Sequence, residues 1–206
     1  MPLTHQEAIE IAKLINPQLD IVLAQYDFTK YPANQYQSFK QNFSSLPFKN
    51  NQLSSAILWK YGKYGQVSYP AAYTKLITKI SDEWGNFVGS TAAKNSQQTF
   101  YWWKKTLNRK TTYITEAYIT HLVHHNEPLP IIDQHNFRAM NYLKLTVRAG
   151  EHSYNKKPST WNDIQSLKQF MVMLLPLLQD KTPGQRCSFG DLDRFLMMYG
   201  RNTAPR

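Results

Sequence analysis

The 206-residue chain reads as an all-α protein of about ten helices. Three observations predict that class. Apolar residues recur at three- and four-residue steps along most of the chain, the mark of one helix face. Helix-start signals precede these stripes: Ser, Thr, Asp or Asn where an N-cap belongs, or Pro at a first helical position. No convincing strand and no internal repeat is visible.

Thr4 and Glu7 form a capping box ahead of a helix whose apolar face is Ile11, Leu14 and Ile15. Asn16-Pro17 caps a second helix with Leu19, Val22, Leu23 and Tyr26 as its stripe. After a break at 27–31, Pro32 opens a third through Tyr36, Phe39 and Phe43. The window 50–65 ends at a C-cap glycine, Gly62 or Gly65. There Lys60 and Lys63 interleave with Trp59, Tyr61 and Tyr64, a pattern that suits base stacking with phosphate contact; Trp59 and Tyr61 read equally well as core. Pro70 starts a helix through Tyr73, Leu76, Ile77 and Ile80, and Asp82 begins a short one through Phe87 and Val88.

The most basic window holds Lys104, Lys105, Arg109 and Lys110. It follows Trp102 and Trp103, of which at least one must face the core. Tyr113 to Val123 is a helix with Ile114, Ala117, Tyr118 and Leu122 inward. His121 and His125 have the i, i+4 spacing of a zinc helix, but Leu122 stands where a zinc-protease helix carries Glu. Histidines favoured by a helix C-terminus explain the cluster better, and no metal is expected. Gly150 to Pro158 is a basic loop with Lys156 and Lys157. A long amphipathic helix spans 161–178, with Phe170, Leu174, Leu177 and Leu178 in the core and Pro176 kinking it or ending its regular part. A loop at 181–186 leads to Ser188, which with Asp191 caps a last helix through Leu192, Phe195, Leu196 and Tyr199 to Gly200.

A length of 206 residues suits one domain, or one domain in two lobes, and 42% hydrophobic residues exclude a disordered chain. The net charge of +10 points to a polyanionic partner, nucleic acid before anionic membrane. The single cysteine, Cys187, excludes a disulfide framework and any four-cysteine cluster. No signal-peptide pattern and no apolar run near membrane-spanning length is seen, so a cytoplasmic protein that does not engage membranes is expected.

The chain is organised around 130–143. An apolar run, Leu129 to Ile132, stops at Asp133, where an N-cap belongs, and Phe137, Met140 and Leu143 then mark one helix face. Gln134, His135 and Arg138 crowd the first turns. The pattern Asp133-x-His135-x-Phe137-Arg138-x-x-Asn141 resembles a segment of endonuclease III-type enzymes of the helix-hairpin-helix DNA glycosylase superfamily. The upstream stretch, Tyr113 to Pro128, aligns with that family's segment without a gap and sets Ala117 and Pro128 on a family Ala and Pro. The resemblance covers about 111–143. It implies two helical lobes with a DNA-binding cleft between them, roughly 50–145 as the central lobe and 1–49 plus 146–206 as the second. It also implies that Asp133 is catalytic.

Two features depart from the family. Thr111-Thr112-Tyr113 replaces the Gly-x-Gly hairpin turn. Thr115 takes the position of the Lys that gives lyase members their Schiff-base chemistry, with Lys110 five positions out of register. The expected activity is therefore monofunctional and cofactor-free: hydrolysis of an N-glycosidic bond in double-stranded DNA by a monomer, leaving an abasic site. Such chemistry needs a flipped base and a carboxylate beside the sugar, to stabilise positive charge on it and to position or deprotonate water. Asp133 fits that role, with Gln134 and His135 orienting it or the backbone and Arg138 pairing with an acid or a phosphate. Candidate pocket residues are Trp59, Tyr61, Trp102, Tyr113, Thr115 and Tyr118, and candidate DNA-binding residues are Lys60, Lys63, Lys104, Lys105, Arg109 and Lys110. Modified bases such as the hypermodified cytosine of phage DNA, met in a defence role, are plausible substrates for so divergent a branch. The alternative is a non-enzymatic helical DNA-binding protein in which Asp133 is only a cap. A two-metal nuclease finds no clustered carboxylates here.

Overall fold

A computed structural model of the chain describes residues 2–43, 50–108, 113–148, 157–178 and 186–204, apart from the side chains of 50 and 51. Arg109, Lys110, Thr111, Thr112, the stretch 150–156 with Lys156, and 181–185 lie outside them. The described secondary structure is all helical. In chain order it comprises α1 (His5–Ile15), α2 (Leu19–Leu23), α3 (Ala33–Phe43), α4 (Asn50–Lys60), α5 (Ala71–Val88), α6 (Ser96–Leu107), α7 (Ile114–Val123), α8 (Gln134–Val147), α9 (Trp161–Leu174) and α10 (Phe189–Asn202). Short 3-10 segments lie at Asn16–Gln18, Thr91–Lys94 and Leu175–Leu177. No helix among the described residues is long and apolar enough to cross a membrane.

The chain forms two compact units, Met1–Tyr26 with Pro128–Arg206, and Asp27–Glu127. Packing thus groups α8 with the chain ends and not with 50–127. Its apolar face, Phe137, Met140 and Leu143, is buried, and α8 lies against α10, α1 and α9. Periodicity shows that a helix has an apolar face but not which helix covers it, and this moves the boundary away from 145.

In the first unit α1 begins with the capping box foreseen: Thr4 Oγ1 accepts from Glu7 N at 3.2 Å and Glu7 Oε2 from Thr4 N at 2.7 Å. Glu7 also receives Arg148 Nε at 2.8 Å, which ties the C-cap of α8 to the start of α1. The Arg148 guanidinium, helped by the Thr4 backbone, lowers the Glu7 carboxyl from 4.5 to about 2. Asn16-Pro17 does not cap the second helix, whose N-cap is Gln18. Asn16 stays in the helical region as the C-cap of α1, and the chain tightens through the 3-10 turn directly into the short α2. Pro176 does end the regular part of α9, which passes into the 3-10 turn Leu175–Leu177. The last helix runs through Gly200 to Asn202, so that glycine is internal and serves close packing.

In the second unit Ala71–Val88 is one helix, not two. Nothing in Ser81-Asp82 breaks it, and Ile77, Ile80, Trp84 and Phe87 form a continuous buried stripe. The helix α7 is buried from Thr115 through Leu122, which makes it the central rod of this unit. Trp59 stacks on Tyr36 and on Tyr118, at 5.2 and 6.0 Å between ring centroids. Gly62 closes α4 as a Schellman cap: its φ is +62°, its N–H reaches Trp59 O at 2.9 Å and Lys63 N reaches Leu58 O at 2.7 Å. Of the tryptophan pair, Trp103 is fully buried and Trp102 half-buried.

Candidate active site at the start of α8

Asp133 is extended, with φ −143° and ψ −177°, and is the N-cap of α8. Its Oδ1 accepts from His135 N at 2.7 Å and Asn136 N at 3.1 Å, two of the donors that a helix start leaves without intrahelical partners. Asn136 answers: its Oδ1 accepts from Asp133 N at 2.9 Å, completing a reciprocal box with Asn where Glu or Gln is usual. Asn136 is 1% exposed, and its Nδ2 donates to Ile131 O at 3.1 Å and to Asp193 Oδ1 at 2.8 Å. Asp193, on α10, also takes Ile131 N on Oδ2 at 3.1 Å. Asp133 itself is half-buried.

Neither Asn136 nor Asp193 was among the expected site residues. The spacing Asp133-x-x-Asn136 is that of a capping box, so Asn136 carried a sequence signal. Asp193 carried none, since only the packing of α10 on α8 brings it 57 positions back to Asn136.

The supporting residues divide. It is the backbone N–H of His135 that orients Asp133, while its ring Nδ1 faces Arg138 Nη2 at 3.1 Å. Gln134 is exposed. Arg138 turns to a main-chain carbonyl. It is 8% exposed and donates Nε to Gly200 O at 3.0 Å, with Nη2 on the same oxygen. The reason is local: the last carbonyls of α10 lack intrahelical donors, and a guanidinium satisfies one and complements the negative helix end. A side chain at Gly200 would leave no room for this arrangement, because a Cβ there would overlap His135 O and sit 2.7 Å from His135 C.

The aromatic and threonine candidates belong to the other unit. Tyr61 Oη and Thr115 Oγ1 are bonded at 2.6 Å, and Tyr61 packs on Tyr73 with centroids 4.8 Å apart. Trp59 and Tyr118 lie together in the core stack, 5% and 1% exposed, with Trp59 Nε1 donating to Pro32 O at 3.2 Å. Trp102 is not with them: it packs on Phe87 and Trp103. Tyr113 is the half-buried N-cap residue of α7, near Phe100. Among the cations Lys60 and Lys63 are half-buried, Lys104 is half-buried over the Phe100 ring at 5.8 Å, and Lys105 is exposed.

No family model, curated protein or solved structure matches the chain. Among the described residues no group of three or more His, Cys, Asp or Glu could hold a metal ion. The three histidines of 121–125 are spent separately: His121 Nε2 on Tyr36 Oη at 2.5 Å, His124 Nε2 on Thr99 Oγ1 at 2.8 Å, and His125 Nδ1 beside Leu122 O at 3.2 Å. Burial lowers the His124 imidazole below its ordinary value, against the opposing pull of Glu127.

Proposed function

We propose that the protein is a monofunctional DNA glycosylase that hydrolyses the N-glycosidic bond of a flipped, modified base and leaves an abasic site. The observation that carries this reading is the carboxylate of Asp133, half-buried and held by two backbone donors at the N-cap of α8. That is where the resembled family has its catalytic Asp. The reading includes the two-lobed helical fold that the resemblance implies. In it, the C1′–N bond lengthens and positive charge grows on the sugar, stabilised by the Asp133 carboxylate. Water then adds to C1′, Asp133 takes its proton, and the base leaves with the bonding electron pair. Hypermodified cytosine of phage DNA is the substrate class we favour. The test is incubation with duplexes carrying modified bases, followed by alkali. Alkali-labile sites support a glycosylase, whereas binding without them supports a non-enzymatic DNA-binding protein.

Two results follow from this reading. Affinity for DNA should fall steeply between low and moderate salt, because cations that neutralise phosphates release counterions. The net charge of +10 and the Lys104–Lys110 window motivate it. Lys104→Ala with Lys105→Ala should lower the slope of log K against log salt by roughly 1–2. Lys105, being exposed, should contribute the cleaner share. Salt-independent binding would exclude backbone contacts by this window.

Borohydride should trap no protein–DNA adduct during turnover. Thr115, at the position where lyase members carry Lys, is fully buried and bonded to Tyr61, so no amine is available there. Strand breaks should appear only after alkali or heat. A trapped adduct that disappears in Lys110→Ala would instead make Lys110 the nucleophile and the enzyme a lyase.

A further inference from the structure

We infer that Asp193, acting through Asn136, is a positioning residue for Asp133; the inference rests on the glycosylase reading above. An amide side chain has one acceptor and two N–H donors, and turning it over exchanges them. In the observed orientation every contact of Asn136 is complementary: oxygen to Asp133 N–H, nitrogen to Ile131 carbonyl and to the Asp193 carboxylate. Turned over, it would set nitrogen against an N–H and oxygen against a carbonyl and a carboxylate, inside a site where Asn136 is 1% exposed. Unmade hydrogen bonds there are costly. The Asp193 carboxylate therefore locks the orientation of the amide together with the Asp133 N–H and the Ile131 carbonyl.

That orientation fixes Asp133 at two points. Asn136 Oδ1 holds its backbone N–H, and Asn136 N, with His135 N, holds its Oδ1. With the backbone and one oxygen set, the direction of the second oxygen is set too. Asp193 also grips Ile131 N, so the segment approaching Asp133 and the helix leaving it are anchored to one carboxylate of α10. Asp193 touches neither water nor sugar in this scheme; it decides where Asp133 points.

The variant Asp193→Asn tests it. An amide in that place cannot accept from both Ile131 N and Asn136 Nδ2, so one contact becomes donor against donor. Single-turnover base release should fall by about 10- to 100-fold, the scale of a misplaced reacting group, while the Kd for the same duplex stays within about twofold. Both are measured at a temperature where circular dichroism shows variant and wild type fully folded, on duplexes carrying glucosylated 5-hydroxymethylcytosine and on a panel of alkylated, deaminated and oxidised bases. If Asp193→Asn does not fold, Asp193→Glu replaces it. That variant keeps both acceptors, displaced by one methylene, and should likewise lose rate and not affinity. A wild-type rate in the folded variant would overturn the inference and leave the glycosylase reading intact. Equal loss of rate and affinity, or recovery of the rate on cooling, would reduce Asp193 to a structural role. Absence of base release by the wild type on the whole panel would overturn both.

Discussion

Asp133→Asn should bring base release to background, a loss of about 10³-fold or more, with DNA affinity within a few fold of wild type and little change in melting temperature. The choice of Asn separates two roles that share one side chain. Asn and Asp are comparably good N-caps, so an amide oxygen can still accept from His135 N and Asn136 N, and α8 keeps its start. What disappears is the negative charge, which alone can stabilise a cationic sugar or take a proton from water. Asp133→Ala would be less informative, because it would also remove the cap at a cost of about 0.5–2 kcal/mol and confound stability with chemistry. Turnover by the Asn protein at a near-normal rate would leave Asp133 as a cap and nothing more.

Much of the frame was legible in the sequence because it is local. Thr4 with Glu7, Ser188 with Asp191 and the Pro176 break act within a few residues, and each appears where its spacing put it. Asp133 at the N-cap of α8 belongs to the same class. What was not legible is tertiary. Arg138 looked like a cation awaiting an anion, but its partner is a main-chain carbonyl 62 positions away that no side-chain pattern announces. Asp193 gave no signal for the same reason. Asp82 is a different case: it is a good helix-start residue, but the apolar stripe of α5 runs on past it. Trp59 and Tyr61 were equally readable as core or pocket. Packing sends Trp59 into an aromatic stack and leaves Tyr61 half-buried and bonded to Thr115.

Gly200→Ala should be among the most damaging single-methyl changes in the first unit. In a helix interior Ala ordinarily stabilises relative to Gly by up to about 1 kcal/mol. Here the added Cβ would overlap the carbonyl oxygen of His135 and press on Ala139 Cβ at 3.2 Å. The first obstacle is backbone, which cannot rotate away as a flexible side chain would. Overpacking that side chains absorb costs about 1–3 kcal/mol, so a clash with main chain should reach or exceed the upper end and lower the melting temperature by roughly 10 °C. Gly190→Ala on the same helix is the control: its Cβ would meet only Ser188 Oγ, at 3.9 Å, and the protein should melt as wild type or slightly above. The damage should also reach the chemistry. His135 supplies one of the two donors to Asp133, and Arg138 holds the carbonyl of Gly200 itself, so parting α8 from α10 disturbs both. Base release per folded molecule should fall with stability in Gly200→Ala and stay unchanged in Gly190→Ala. A Gly200→Ala protein that melts like wild type would mean that α8 and α10 do not approach this closely, and the coupling of Asp193 to Asp133 would fall with it.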